Sequence, residues 1–347
     1  MKIDKNYCMS SFLAFRYIYE KDINFSYNLI HEHFVQIGDD KKLIVKTADE
    51  IDLAIKKQLK QFKNRKVALL LSGGMDSAIL SSYFKGCDAY TFRFLGGEYQ
   101  TDELRRAEQY AKIYGLNLHY VDINWDIVEK NSMLCMKHKA APIHSIEPQL
   151  YEAAIQAKRD GCDLIIYGDA ADYVFGGMDK LLSKDWLFDD FYKRFIYIEP
   201  SEVLRNPVDV KYIFEKYRDG IYIKFVEMMD DVTNNESYSS YKNAFETAGV
   251  DFYDPYERLK MGAPLDLNRI RSGESKYLIR ELFKMKFPNL NVPEKVPMPR
   301  PVDQYFANWK GPVRKEFLPN LDMTYFSGNQ KWLLWSLETF LNLNNIK

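Results

Sequence analysis

At 347 residues, with 46% apolar and 28% charged side chains, the chain has an ordinary globular composition and enough length for about two domains of roughly 150 residues. A formal net charge of −1 argues against a surface built mainly for nucleic acid, which needs a basic excess, so no nucleic-acid partner is expected. No run approaches about 18 uninterrupted apolar residues and the first residues lack an apolar signal core, so neither a membrane span nor a secretory leader is expected; four isolated cysteines (Cys8, Cys87, Cys135, Cys162) read as free thiols of a reducing, cytoplasmic compartment.

Residues 1–48 are irregular and aromatic-rich, with a short helix expected within 12–19. Residues 35–37 and 43–45 flank the turn signal Gly38-Asp39-Asp40 and predict a small hairpin. Over 48–62, Ile51, Ile55, Leu59 and Phe62 recur at helical spacing among lysines, which predicts an amphipathic helix. The continuous apolar run 67–71 suits a strand buried on both faces. A helix over 76–84 and a second strand over 88–94 follow. Thr101 reads as the N-cap of a helix reaching Tyr114, with Asp102 and Glu103 in its first turn and Gly115 past its end. A third strand is expected over 116–122. Residues around His138 and His144 read as polar loop, Ser145 as the cap of a helix ending near Gly161, and 163–167 as a fourth strand. Strands alternating with helices predict a doubly wound α/β fold on a parallel sheet. Beyond about residue 185 the strand pattern fades; 210–217, 239–248, 275–286 and 331–343 read as amphipathic helices. The expected organisation is a connector-like segment (1–48), a nucleotide-binding core (49–190) and a mostly helical part (191–347) that completes it.

Directly after the first strand stands Ser72-Gly73-Gly74-Met75-Asp76-Ser77, opening onto a helix. Glycines allow the backbone to turn tightly and approach a ligand, and the helix start offers N–H groups to an anion. Ser72 and Ser77 add hydroxyls. A carboxylate at Asp76 repels phosphate unless a hard cation such as Mg²⁺ sits between them. No Gly-Lys-Ser/Thr follows, which excludes a Walker-type loop. The bland alternative is a Gly-Gly turn that binds nothing. After the fourth strand comes Tyr167-Gly168-Asp169-Ala170-Ala171-Asp172-Tyr173-Val174-Phe175-Gly176-Gly177. Doubly wound sheets bind ligands at the carboxyl ends of their strands, so Asp169 and Asp172 fall on the same edge as Asp76. Metal ligation or helix capping both account for acidic residues there.

These two strings together resemble the synthetase domain of the asparagine synthetase family, within the PP-loop ATP pyrophosphatases. Ser72–Ser77 is similar to that family's pyrophosphate loop, and 168–177 to its second signature, usually Gly-acid-Gly/Ala-Ser/Ala-Asp-Glu before Phe-Gly-Gly. Thr91-Phe92-Arg93-Phe94, Asp254-Pro255-Tyr256 and Ser275-Lys276-Tyr277-Leu278-Ile279-Arg280 resemble further segments, so the likeness spans roughly 50–310. The resemblance implies ATP and Mg²⁺ as cofactors and a ligase that activates a small-molecule carboxylate as an acyl-adenylate, then passes it to ammonia or an amine. By position it implies Leu70 and Phe94 beside the adenosine, and Ser72, Gly73, Gly74 and Ser77 on the pyrophosphate. Asp76 and Asp172 would hold the metal, Gly168 would approach the AMP moiety, Asp169 would sit by the acyl-adenylate, and Lys276 would neutralise the departing pyrophosphate.

Two departures stand out. The complete family begins with a glutaminase domain whose cysteine follows the initiator methionine; residue 2 here is Lys and residues 12–48 look like the family's connector. The resemblance therefore implies a synthetase domain using free ammonia, an amine or a separate glutaminase subunit. Tyr173 stands where the family commonly has Glu, which puts aspartate as the substrate in doubt. Rival readings are an RNA-thiolating PP-loop enzyme, which calls for a basic face and reactive cysteines, and a degenerate nucleotide-binding subunit. Weaker signals remain. His31-Glu32-His33 reads as solvated rather than metal-binding, and 293–301 as a rigid proline-rich loop with Arg300 a candidate anion contact.

Overall fold

The computed structural model describes residues 1–96, 101–178, 180–294 and 298–346. Its centre is a five-stranded parallel sheet: β1 (Val67–Leu70), β2 (Asp88–Phe94), β3 (Asn117–Ile123), β4 (Leu164–Ile166) and β5 (Asp251–Tyr253). The spatial order is β5-β4-β1-β2-β3. β1 pairs with β2 through Ala68↔Asp88 and with β4 through Ala68↔Ile165. The chain leaves β1 in one direction for β2 and β3, then returns to β1's other side with β4. That reversal makes the carboxyl ends of β1 and β4 a topological switch point, where open sheets take ligands.

The apolar runs are strands because both faces are covered. Successive side chains alternate faces, and the cores follow suit. Ala68, Tyr90, Val121 and Ile165 enter one cluster, while Val67, Leu69, Ala89, Leu164 and Ile166 enter the other. Leu69, Ile165 and Ile166 are wholly buried, each side chain contributing about 1.5–3 kcal/mol. One face packs Lys5–Phe15, Trp125–Lys139, Glu147–Arg159 and Gly328–Leu343; the other packs Ala48–Leu59, Met75–Ser81, Thr101–Tyr114 and Tyr277–Lys286. Residues from 1–48, 49–190 and 191–347 thus share the same two cores. No described helix is long and apolar enough to cross a membrane.

The elements differ from expectation at several points. No hairpin forms over 35–45: Leu43–Val45 pairs in parallel with Leu259–Met261, because Val45 finds burial there while Val35 stays exposed. The first helix covers Lys5–Phe15, capped by the Asp4 side chain, and stops where Arg16 turns left-handed. Residues 125–139 are a helix, not a loop, capped by Asn124. β5, in the half read as helical, is a three-residue edge strand too short to show a period. The helix Thr101–Tyr114 includes Thr101 itself, and its neighbour 100 lies outside the described residues.

Candidate active site

The loop between β1 and the helix Met75–Ser81 is tied by its own hydroxyls. The Ser72 N–H donates to Ser77 Oγ (3.0 Å), the two hydroxyls lie 3.0 Å apart, and the Gly74 N–H donates to Ser72 Oγ (3.1 Å). Ala78 N–H closes the first helical bond, onto Gly74 O at 3.2 Å, so the amides before it belong to the turn a helix leaves to an outside acceptor. Gly73 is required by packing: a Cβ there would stand 2.7 Å from the backbone O of Glu103. Arg106 Nε also donates to Gly73 O at 2.9 Å, fixing the loop from the neighbouring helix.

The loop after β4 comes alongside. Buried Asp254 holds it, accepting from the Ala170 N–H (2.8 Å) and the Tyr256 N–H (2.8 Å). Gly168 has no room for a side chain, since a Cβ would meet the Tyr256 ring at 2.9 Å. Lys276 joins the two loops. Its ammonium lies 2.6 Å from Asp76 Oδ2 and 2.7 Å from Asp172 Oδ1, while the lysine itself is only 3% exposed. It reaches them because the helix Tyr277–Lys286 packs against Met75–Ser81, with Lys276 at its start in left-handed backbone (φ 53°). That conformation costs a non-glycine residue about 1–2 kcal/mol. Burial alone would lower the lysine's pKa, but Asp172 and Asp76 outweigh it and raise the value.

These groups line a cavity of about 330 Å³ at the switch point. Leu70, Ser72, Gly74, Asp76 and Ser77 border it from β1, and Gly168, Asp169 and Asp172 from β4. Lys276 closes one side. Gly73 is buried behind the loop, its carbonyl facing Arg106. Phe94 does not line the cavity; it is buried further along β2, and Phe92, two residues earlier on the same face, lines it with Tyr90 and Thr91. Asp169 accepts from the Ser237 hydroxyl at 2.6 Å. Burial pushes its carboxyl up to about 7, with the Ser237 hydrogen bond opposing and Asp172 adding to the rise.

The donor set suits a magnesium–pyrophosphate complex. Mg²⁺ is commonly held by one or two carboxylates plus substrate phosphates, and Asp76 and Asp172 already share one cation beside the hydroxyl-rich loop. Elsewhere, His31 is buried rather than solvated, its Nδ1 2.9 Å from Asn24 Oδ1 and its pKa lowered by burial to about 4. His138, on the helix Trp125–Lys139, pairs with Asn243, its Nδ1 2.9 Å from Asn243 Oδ1.

Several cavity residues had no signal in the sequence. Arg16, His144, Glu236, Ser237 and Arg300 gather from four places in the chain; of these the sequence marks Arg300, for its proline-rich surroundings, and His144, as part of a polar loop. Pro293, Glu294 and Met298 of that stretch border the cavity; 295–297 lie outside the described residues.

A sequence model of the asparagine synthase family matches residues 46–242. No curated protein matches the chain. Among solved structures, NMN synthetase from Francisella tularensis is 12% identical over 73% of this chain and 100% of that one, with a TM-score of 0.29. The U34-tRNA thiolase NcsA from Methanococcus maripaludis is 17% identical over 72% and 82%, at 0.29. The NH3-dependent NAD synthetase from Campylobacter jejuni is 15% identical over 55% and 93%, at 0.28.

Proposed function

The chain belongs to the asparagine synthase family, matched over more than half its length, and from that premise we propose that it is a carbon–nitrogen ligase working through an acyl-adenylate. It is an ATP-using enzyme of the PP-loop kind; the finer reaction is our reading. The observation that carries it is the buried Lys276 ammonium shared by Asp76 and Asp172 beside the Ser72–Ser77 loop. An enzyme that expels pyrophosphate has to hold two phosphates and balance the charge that grows on them as they leave.

In this reading Ser72, Gly73, Gly74 and Ser77 cradle the outer phosphates of ATP, and Leu70, Phe92 and Gly168 flank its adenosine end. Asp76 and Asp172 would hold Mg²⁺, which when bound neutralises phosphate oxygens. A substrate carboxylate oxygen attacks the α-phosphorus, and the bond to pyrophosphate breaks with its electron pair going to the leaving group. Lys276, a compact point charge already within reach of both loops, offsets that charge. Ammonia or an amine then attacks the acyl carbon, AMP leaves, and the proton released by the nitrogen passes to Asp169. A base poised near 7 suits that transfer. The nitrogen comes from free ammonia, an amine substrate or a glutaminase partner.

The rival use of the loop, adenylating RNA for thiolation, lacks comparable support. Cys8, Cys135 and Cys162 are buried, and burial pushes the half-buried Cys87 thiol up to about 12. The test is exchange of labelled pyrophosphate into ATP across a panel of carboxylic acids, with Mg²⁺ present. Acid-dependent exchange is expected; ADP as product, or exchange indifferent to every acid, refutes the reading.

A further inference from the structure

The amino ends of the strands form the opposite rim of the sheet from the Ser72–Ser77 loop, away from the adenylation cavity. There the helix Ala48–Leu59 runs on through one further turn, Lys60–Phe62, before β1 starts at Val67. The turn that follows the helix Met75–Ser81 comes back beside it, and an open groove of about 760 Å³ lies between them. Leu53, Phe62, Val67 and Phe84 give the groove apolar surface. Its cations are Lys56, Lys57, Lys60, Lys63, Arg65 and Lys85. Among the described residues no acidic side chain lines it, in a chain whose formal net charge is −1.

Two of the six charges are matched from outside the groove. Lys56 pairs with Asp52 at 2.6 Å, and Arg65 with Asp163 and Asp251 at 2.9 Å and 2.8 Å. Among the described residues no carboxylate lies within ion-pair distance of Lys57, Lys60, Lys63 or Lys85, and all four are exposed. The negative end of the helix accounts for a lysine at 57, but that field fades within the last turn and does not reach Lys85 on the other wall. Leu53 is 65% exposed, although it stands four residues before Lys57 and so on the same helical face. Like charges gathered around apolar surface repel one another in the free protein, and a partner's carboxylates relieve that repulsion.

We propose that this groove docks an acidic amphipathic helix of a partner protein, its apolar side chains against Leu53 and Phe84 and its carboxylates on the four lysines. Docking there is independent of the adenylation chemistry. A helix laid in a groove presents apolar anchors at helical spacing, and complementary charges at the rim set register and association rate. Ala48–Leu59, with 12 residues and a length of about 18 Å, is a wall for about three turns of a partner helix. A nucleic acid suits the groove less. Single strands gain most from bases stacked on open aromatic faces, yet the Tyr83 ring is covered by Lys286 (4.5 Å) and Phe62 packs edge-on against Tyr253 (4.8 Å). Arg65, the side chain best shaped for phosphate, is held by two aspartates.

The experiment measures fluorescence anisotropy of three labelled probes with the full chain at physiological ionic strength. The first is a peptide of about four helical turns with leucines at i, i+3, i+4 and i+7 among glutamates. The second has the same composition scrambled to remove the apolar face, and the third is a uridine RNA strand of similar length. The ordered peptide is expected to bind about tenfold or more tighter than the scrambled one, and to weaken as salt rises. In Lys57→Gln/Lys60→Gln/Lys63→Gln its affinity should fall about tenfold, three exposed pairs each giving about a factor of two. Leu53→Gln and Lys85→Gln, on opposite walls, should each weaken it at least about twofold. Every substituted side chain is exposed, so thermal unfolding should be unchanged. No binding of the ordered peptide, or equal binding of the scrambled one, overturns the proposal. Tighter binding of the RNA that the triple variant abolishes overturns it as well, giving the face to nucleic acid. Self-association in sedimentation that the triple variant abolishes likewise overturns it, making a second copy of the chain the occupant.

Discussion

Replacing Lys276 by methionine removes one charge and keeps most of the stem. In the wild type a single ammonium, 4% exposed, stands 2.6 Å and 2.7 Å from two carboxylates that are 19% and 27% exposed. Without it, Asp76 and Asp172 repel each other across a partly dry cavity. Breaking a buried pair costs about 3–5 kcal/mol; partial solvent access to the aspartates brings this to about 2–3 kcal/mol. The left-handed backbone at 276 strains lysine and methionine alike, so it cancels from the comparison. The sign with pH also follows. The raised lysine pKa means its stabilising contribution is present below the unfolded value of about 10.4 and is lost only as pH rises through the higher folded value. The deficit should therefore be constant between pH 6 and 9. Urea denaturation of wild type, Lys276→Met, Asp172→Asn and the double variant measures it. If the ammonium acts as the shared counter-ion, the double variant recovers at least 1 kcal/mol of the lysine deficit. Strictly additive single losses would refute the reasoning.

Gly73→Ala forces a Cβ to within 2.7 Å of Glu103 backbone, so the loop or the helix Thr101–Tyr114 has to shift; a loss of about 1–3 kcal/mol is expected, with ATP affinity falling about tenfold in titration calorimetry. Asp169→Asn should abolish a rising limb near pH 7 in the nitrogen-transfer rate, because the raised carboxyl accepts a proton only above that value. By linkage, ionising Asp169 costs stability as pH climbs from about 3.9 through 7, so the asparagine variant should lose less stability over that window in denaturation at several pH values. Asp254→Ala leaves the Ala170 and Tyr256 amides without their acceptor. A loss of about 2–3 kcal/mol is expected, with kcat falling more than ATP affinity, as loop placement rather than nucleotide contact is disturbed.

Some of this protein can be read along the chain. The buried runs that became β1 and β2, the turn Ser72–Ser77 and the signature 168–172 each lie within a few consecutive residues, and local spacing and the freedom of glycine are enough to interpret them. Their meeting at one sheet edge followed from a rule about parallel strands, and Lys276 was found through its family-like string. Other features depended on partners distant in sequence. Leu43–Val45 reads as half a hairpin until Leu259–Met261 is placed beside it. β5 is three residues long and is a strand because β4 offers it an edge. Phe92 rather than Phe94 reaches the cavity because of how far β2 runs past the loop, which period two alone does not specify. The cluster of Arg16, His144, Glu236 and Arg300 is the clearest case. A charge's meaning lies in its desolvation and counter-ions, and theirs come from segments up to 284 residues apart that only the folded sheet and its helices bring together.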